Sequence, residues 1–301
     1  MLSSEARFET EIRQSLPGMR VMVNGEHLRG KLKRLAMEPP IRLLSRLILK
    51  RMPIPASTRA LWDLSERPAY LLGLNFAARQ AIREGVRAFS AVEFGVAGGN
   101  GLIVLEKEAA AISRDHDLAI SVVGFDRGSG GLPDFIGDHR DHPDIWKPGD
   151  FPMDEAALRA RLSPTTQLFL GDVAASLPRF LGDQTQPPLG FISFDLDLYS
   201  STSSALMVLS SPAARMLEHV ALAFDDVDHA RSHRFAGELL AIDEFNERSQ
   251  RVKIDRWRGL AQNRPFPEAG YLQKMYIAHD LPAIGRSGLA RNTLRRDLNQ
   301  G

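Results

Sequence analysis

Val92-Glu93-Phe94-Gly95-Val96-Ala97-Gly98-Gly99-Asn100-Gly101 joins an apolar run, Phe89 to Val92, to a segment from Leu102 to Ile112 with helical patterning. The order is strand, tight turn, helix. Glycines at 95, 98, 99 and 101 let the backbone take positive φ and admit a ligand where a Cβ would block it. The helix start adds free N–H groups. Together these features read as a nucleotide-type cofactor loop at the end of a strand.

The glycine spacing narrows the cofactor. A dinucleotide fingerprint, G-x-G-x-x-G, needs a glycine two residues after Gly95, where this chain has Ala97. The pattern present is E-x-G-x-x-G-G. A carboxylate at Glu93, two residues before the first glycine, suits a ligand carrying an ammonium group, as the methionine part of S-adenosylmethionine does. An ordinary Gly-rich turn has the same spacing, so support must come from the rest of the chain.

Composition sets outer bounds. The 301 residues are 44% hydrophobic, enough for a large core. Lys plus Arg number 38 against 37 Asp plus Glu, so no global basic footprint for nucleic acid exists. The absence of cysteine excludes disulfides, thiolate metal sites and cysteine nucleophiles. No apolar run reaches a membrane span and the N-terminus does not resemble a secretory signal, which makes the cytoplasm the expected location.

Three regions are expected: a basic helical extension over residues 1–58, a cofactor-binding domain over 59–280 and a tail over 281–301. Between Arg29 and Arg59 nine Lys or Arg residues face one acid, Glu38. Within it Ile41, Leu44, Leu47 and Ile48 share a helical face, while Arg42, Arg46 and Lys50 step along another. Such a helix can lie on an anionic membrane surface, grip an acidic partner, or pack on its own domain or a second subunit, and a homo-oligomer is expected. Leu61 to Gly85 reads as one or two helices with a break at Arg67-Pro68-Ala69-Tyr70.

Further strands are read at Ala119 to Phe125, Gln167 to Leu170, Gly190 to Phe194 and His219 to Phe224, with a helix from Met153 to Leu162 capped by Asp154. Strands alternating with helices imply a Rossmann-like, doubly wound and mostly parallel sheet. Residues 128–151, with His139, His142 and Trp146, read as a lid. A helix from Ser232 to Glu247 is expected to bury Phe235, Leu239, Ile242 and Phe245. Closing strands are expected at Val252 to Trp257 and Leu272 to Ile277.

In such sheets ligands gather at the carboxyl ends of the strands. Each parallel strand here ends on or beside an acid: Glu93, Asp126, Asp172, Asp195 with Asp197, and Asp225 with Asp226. Asp126 is the ribose candidate. Asp195, Asp225 and Asp226, at the ends of adjacent strands, would repel one another unless a cation sat among them, and hard oxygen ligands point to Mg²⁺ or a similar ion. A metal that orients a hydroxyl and lowers its pKa suits methyl transfer to oxygen. Asp195, Asp197 or His229 would take the proton.

The segments FDLDLYSSTSSAL, FDD, VEFGVAGGNG, FDRGSGGLP, GDFPMDEAALRARL and LGDVAASLP resemble the macrocin O-methyltransferase family across residues 60–280. The family's class I enzymes use S-adenosylmethionine, and several methylate sugar hydroxyls with Mg²⁺. The resemblance implies metal ligation by Asp195, Asp225 and Asp226 and donor binding by Glu93, Gly95 and Asp126; Gly98, Gly99, Asp172 and Asp195 complete the expected donor site. It also implies an antiparallel closing edge. The expected activity is methyl transfer from S-adenosylmethionine to a hydroxyl of a small polyhydroxylated acceptor. The rivals are a nicotinamide-dependent oxidoreductase and a non-catalytic protein that binds through its basic helix.

Overall fold

The computed structural model describes residues 40–49, 52–262 and 264–288. The chain divides into two compact units, Met1–Ile48 and Leu49–Gly301. The whole of the chain before Pro40, including the basic stretch from Arg29 to Arg34, lies outside the described residues, as do Lys50, Arg51 and the tail beyond 288. Described at the boundary is α1 (Pro40–Leu49), on which Leu44, Leu47 and Ile48 are all exposed. Residues 281–288 are helical.

In the second unit the order is α2 (Ala56–Leu61), α3 (Pro68–Glu84), β1 (Ala88–Phe94), α4 (Asn100–His116), β2 (Ala119–Asp126), α5 (Glu155–Arg159), β3 (Gln167–Leu170), α6 (Val173–Gly182), β4 (Leu189–Phe194), α7 (Tyr199–Ala205), α8 (Met207–Ser210), β5 (Met216–Phe224), α9 (Gly237–Arg248), β6 (Val252–Arg256) and β7 (Met275–Asp280). The seven strands form one sheet in the order β3-β2-β1-β4-β5-β7-β6. The first five are parallel, whereas β7 runs antiparallel to both β5 and β6. This is the Rossmann-like doubly wound sheet expected, with an antiparallel closing pair in which the reversed β7 lies between β5 and the edge strand β6. The chain switches direction across the sheet between β1 and β4, where a ligand crevice forms in such folds.

Register and side-chain alternation build an aromatic row at the ends of these strands, of which Phe94 and Phe125 reach the cleft. Phe94 pairs with Phe125 and Phe194, Phe125 with Phe169, and Phe194 with Phe224. Their rings stack with centroids 4.7, 5.4, 5.0 and 4.6 Å apart, respectively. Five parallel strands thus end on one continuous aromatic row, and the acids beside it sit at its upper edge. Because side chains alternate along a strand, Glu93 points to the opposite face from Phe94. On that face lies α3. Gly73 lets this helix approach closely, since a Cβ there would come within 2.3 Å of the Phe191 ring. The close approach sets Tyr70 beside Phe191, 5.7 Å between ring centroids.

The expected break before α3 is present: Pro68 opens the helix, a position where its missing N–H is no loss, and Gly85 ends it in the left-handed conformation. Other boundaries move. The helix expected from Ser232 starts at Gly237, so Phe235 precedes it and is exposed, and Leu239 is only partly buried. The buried face is Glu238, Ala241, Ile242 and Phe245. A regular apolar spacing placed Phe235 in the core, but the chain before Gly237 does not follow a helical path. The last strand likewise begins at Met275, because residues Gly270–Lys274 form a 3₁₀ turn.

Candidate active site

A cleft of about 280 Å³ opens at the carboxyl ends of β1, β2, β3 and β4. Glu93, Gly95, Gly98, Asp126, Asp172, Asp195 and Asp197 all line it, joined by Arg67 from the turn before α3.

Glu93 is almost fully buried. Its Oε1 accepts a hydrogen bond from the Tyr70 hydroxyl at 3.1 Å, which itself accepts one from Ser193 Oγ at 3.1 Å. Glu93 Oε2 has no hydrogen-bond partner among the described residues. Burial pushes this carboxyl up to about 8, against the pull of Arg67. A buried acceptor left unmade is costly, and a ligand ammonium would satisfy it. Gly101 keeps the space around it open, since a Cβ there would lie 2.0 Å from Glu93 Oε1.

The glycines separate into distinct roles. Gly95, at φ 86°, passes so close to β4 that a Cβ would sit 1.8 Å from the Asp195 carbonyl oxygen. Gly99 is the left-handed cap of α4, and a Cβ there would meet Leu158 at 2.1 Å. It is therefore a packing position outside the cleft lining. Gly98 has nothing within 4 Å of a built Cβ, so no part of the protein requires glycine at that place. Ala97 takes the left-handed conformation, φ 44°, although it has a side chain.

Asp126 holds the loop from the neighbouring strand. Its Oδ2 accepts from the backbone N–H of Val96 at 2.9 Å and of Ala97 at 2.7 Å, and its Oδ1 from Gly128 at 2.6 Å. Oδ2 thus uses both of its lone pairs, whereas Oδ1 keeps one for a ligand hydroxyl. Asp172 caps α6 by accepting from Ala174 N at 2.8 Å while lining the cleft.

The acids of β4 and β5 form a second group next to this one. Asp197, in the left-handed conformation at φ 64°, donates its backbone N–H to Asp226 Oδ2 at 3.2 Å. Asp226 Oδ1 lies 2.6 Å from His229 Nε2, and its N–H donates to Glu238 Oε2 at 2.9 Å. Burial, then the charges of Asp225 and Asp226, raise the pKa of Asp195; burial, then Asp226, raises that of Asp197. The Asp226 hydrogen bond raises that of His229. Glu238 is a buried acid next to the apolar stripe expected on this helix, and none of the expected site residues included it; burial first and Asp226 second raise its pKa well above the carboxylate range. Its alternation with core residues concealed it, for nothing in the local spacing shows that Asp226 lies above it.

Lys274 enters the same group from the 3₁₀ turn before β7. Its ammonium donates to the Asp225 carbonyl at 2.6 Å and to Asp225 Oδ1 at 3.1 Å, and pairs with Asp228 Oδ1 at 3.1 Å. Among the described residues, no three His, Asp or Glu side chains are arranged to hold a metal ion. Asp195, Asp225 and Asp226 do supply the hard oxygens such an ion takes. In this arrangement, however, Asp225 is bonded to Lys274 and Asp226 to His229.

The loop over residues 128–151 overhangs the cleft, with Gly131, Leu132, Pro133, Asp150 and Phe151 in its lining. Asp141 anchors it: fully buried, this carboxylate accepts from Ser200 N at 2.8 Å, Ser200 Oγ at 3.0 Å and Ile136 N at 3.0 Å. The overhang is thereby tied to the segment that carries Asp195 and Asp197. His142 is buried against His233, and Trp146 packs on Phe151 and His229.

No family model matches the chain, and no curated protein matches it. Among solved structures it is similar to CalS11, a calicheamicin methyltransferase, at 20% identity over 80% of this chain and 93% of that one, TM-score 0.49. It is similar to the O-methyltransferase NovP at 20% identity over 60% and 72% of the two chains, TM-score 0.44. TomG from Streptomyces achromogenes, an O-methyltransferase involved in tomaymycin synthesis and solved with S-adenosylmethionine, matches at 15% identity over 79% and 94%, TM-score 0.39. The seven strands, five parallel and β7 reversed, form a Rossmann-like sheet. Among the described residues no helix is long and apolar enough to cross a membrane.

Proposed function

We propose that this protein transfers a methyl group from S-adenosylmethionine to a hydroxyl of a small polyhydroxylated acceptor, a sugar or natural product. The observation that carries the reading is Glu93 Oε2, a buried carboxylate oxygen with no hydrogen-bond partner among the described residues, on a residue that lines the cleft beside the glycine loop. The donor's ammonium supplies the missing partner. Asp126 offers the free lone pair of Oδ1 to a ribose hydroxyl while Oδ2 holds the loop, and the open space at Gly98 admits the ligand.

The reaction is an in-line displacement at a sulfonium methyl, so the protein contributes alignment and the removal of one proton. Asp195 and Asp197 line the same cleft as the donor loop, and His229, held by Asp226, stands beside them. These three are the candidate proton acceptors. Asp226 fixes the His229 ring and favours its charged form, which stabilises an imidazolium once the proton has been taken. The overhang over 128–151 excludes water from the reacting atoms and outlines the acceptor side.

Asp195, Asp225 and Asp226 are the residues proposed to hold Mg²⁺, with Asp225 exchanging its bond to Lys274 for one to the metal. Bound there, the ion would orient the acceptor hydroxyl and lower its pKa. The exposed Leu44, Leu47 and Ile48 of α1 support a further role for the basic extension in contact with an anionic surface, a partner or a second copy.

Calorimetric titration with S-adenosylhomocysteine tests the central reading. Binding in the micromolar range is expected; no binding at millimolar ligand rejects it. Stronger stabilisation by a nicotinamide dinucleotide in a thermal-shift comparison would favour the oxidoreductase instead.

A further inference from the structure

The Arg67-Pro68-Ala69-Tyr70 break delivers two side chains to one end of the cleft. Tyr70 is buried and touches Glu93. Arg67, one turn earlier, lines the cleft with its side chain 35% exposed. Its guanidinium lies 5.2 Å from the Tyr70 ring centroid, with NH1 3.4 Å from the Tyr70 hydroxyl and 3.7 Å from Asp195 Oδ2. Both contacts are longer than the 2.7–2.9 Å of a charge-assisted hydrogen bond. A guanidinium carries five donors in a planar fork that matches a carboxylate. At Arg67 these two long contacts leave most of the fork uncommitted.

One phenolic hydroxyl therefore bridges a buried carboxylate with an unpartnered oxygen and a guanidinium with unused donors. The opposite charges are no farther apart than two hydrogen-bond-length steps through Tyr70. An α-amino acid carries its ammonium and carboxylate on one carbon, with the same complementary signs. We infer that Arg67 is the anchor for the carboxylate of the methyl donor's amino-acid moiety, so that Glu93 and Arg67 together recognise a zwitterion. This rests on the donor reading above. Adenine dinucleotides and adenosine phosphates lack an α-amino acid and leave Glu93 Oε2 unpaired, which makes the pair a specificity device for amino-acid-bearing nucleosides. A second effect follows from the 3.7 Å contact. When the ligand carboxylate draws the fork, Asp195 loses a neighbouring cation.

The test is calorimetry on the full chain with three ligands: S-adenosylhomocysteine, its decarboxylated analogue that keeps the ammonium, and 5′-methylthioadenosine, which lacks the amino-acid part. Wild-type protein is expected to prefer S-adenosylhomocysteine over the decarboxylated analogue by about 10- to 100-fold, the worth of charged hydrogen bonds to one group. Arg67→Met should abolish that preference while binding 5′-methylthioadenosine as wild type does, which also shows that the variant is folded. Arg67→Lys, which keeps the charge and loses the fork, should retain an intermediate preference. The assignment is overturned if Arg67→Met keeps the preference for the carboxylate, or if it weakens all three ligands equally. Failure of wild-type protein to bind any of the three overturns the donor reading itself, and the Arg67 assignment with it.

Discussion

The Tyr70 hydroxyl lies 3.1 Å from Glu93 Oε1 and donates to it, leaving Glu93 Oε2 as a buried acceptor with no hydrogen-bond partner among the described residues. Burial, then the charge of Glu93, raises the Tyr70 pKa well above its ordinary value, so the phenol keeps its proton and remains the donor. Glu93→Gln should therefore weaken S-adenosylhomocysteine binding about 10- to 100-fold, since a neutral amide replaces a charged partner for the ammonium. Tyr70→Phe should weaken it less, because the carboxylate survives. Calorimetry on both variants checks the order.

The raised Glu93 pKa makes affinity depend on pH. Without ligand the carboxyl titrates near pH 8, far above its ordinary 4.5. Its folded form prefers the proton, so this group lowers stability as pH rises from about 4.5 to about 8 and adds no slope beyond. An ammonium ligand prefers the ionised carboxylate, so affinity should climb between pH 6 and about 8. Above that the carboxyl is fully ionised and the rise should level off. Glu93→Gln should flatten both the melting and the binding profiles.

Neighbouring glycines of the loop should differ sharply on substitution. Gly95→Ala adds a Cβ 1.8 Å from the Asp195 carbonyl at a positive φ, and should destabilise the fold by several kcal/mol, on the order of a severe core disruption. Gly98→Ala meets nothing within 4 Å and should change stability by less than about 1 kcal/mol. A loss of S-adenosylhomocysteine affinity at Gly98→Ala with an unchanged urea midpoint would show the ligand approaching the backbone there.

The aromatic row predicts a shared cost. Phe194 stacks between Phe94 and Phe224, fully buried. Phe194→Ala should cost about 3–5 kcal/mol in urea unfolding. Because Asp195 follows it directly, ligand affinity should fall in the same variant.

For the proposed metal, Asp225→Asn should abolish divalent-dependent turnover while leaving S-adenosylhomocysteine affinity within about threefold. Full turnover in excess chelator would reject Mg²⁺. Lys274→Met removes the ammonium bonded to Asp225, and should strengthen stabilisation by millimolar Mg²⁺ in a thermal melt if the two cations compete.

Much was legible in the chain alone because its determinants are local. Strand, turn and helix around Glu93 to Gly101 follow from apolar runs and glycine spacing, and the acids after β1 to β5 follow from the rule that ligands gather at strand ends. The parallel order and the antiparallel closing pair agree with that reading. Other features depend on residues far apart in sequence. Gly99 proved to be a packing position because Leu158 lies against it, and Phe235 left the core because the chain before Gly237 is not helical. Glu238, Lys274 and Arg67 carry no motif. Each joins the site only because the sheet order brings β4, β5, the turn before β7 and the start of α3 to one end of the molecule. Local patterning determined which elements form and which acids end them. Only tertiary packing decided which of those acids are buried, which cation each meets, and that Glu93 keeps one oxygen unpaired, because burial and charge pairing depend on neighbours supplied by distant segments.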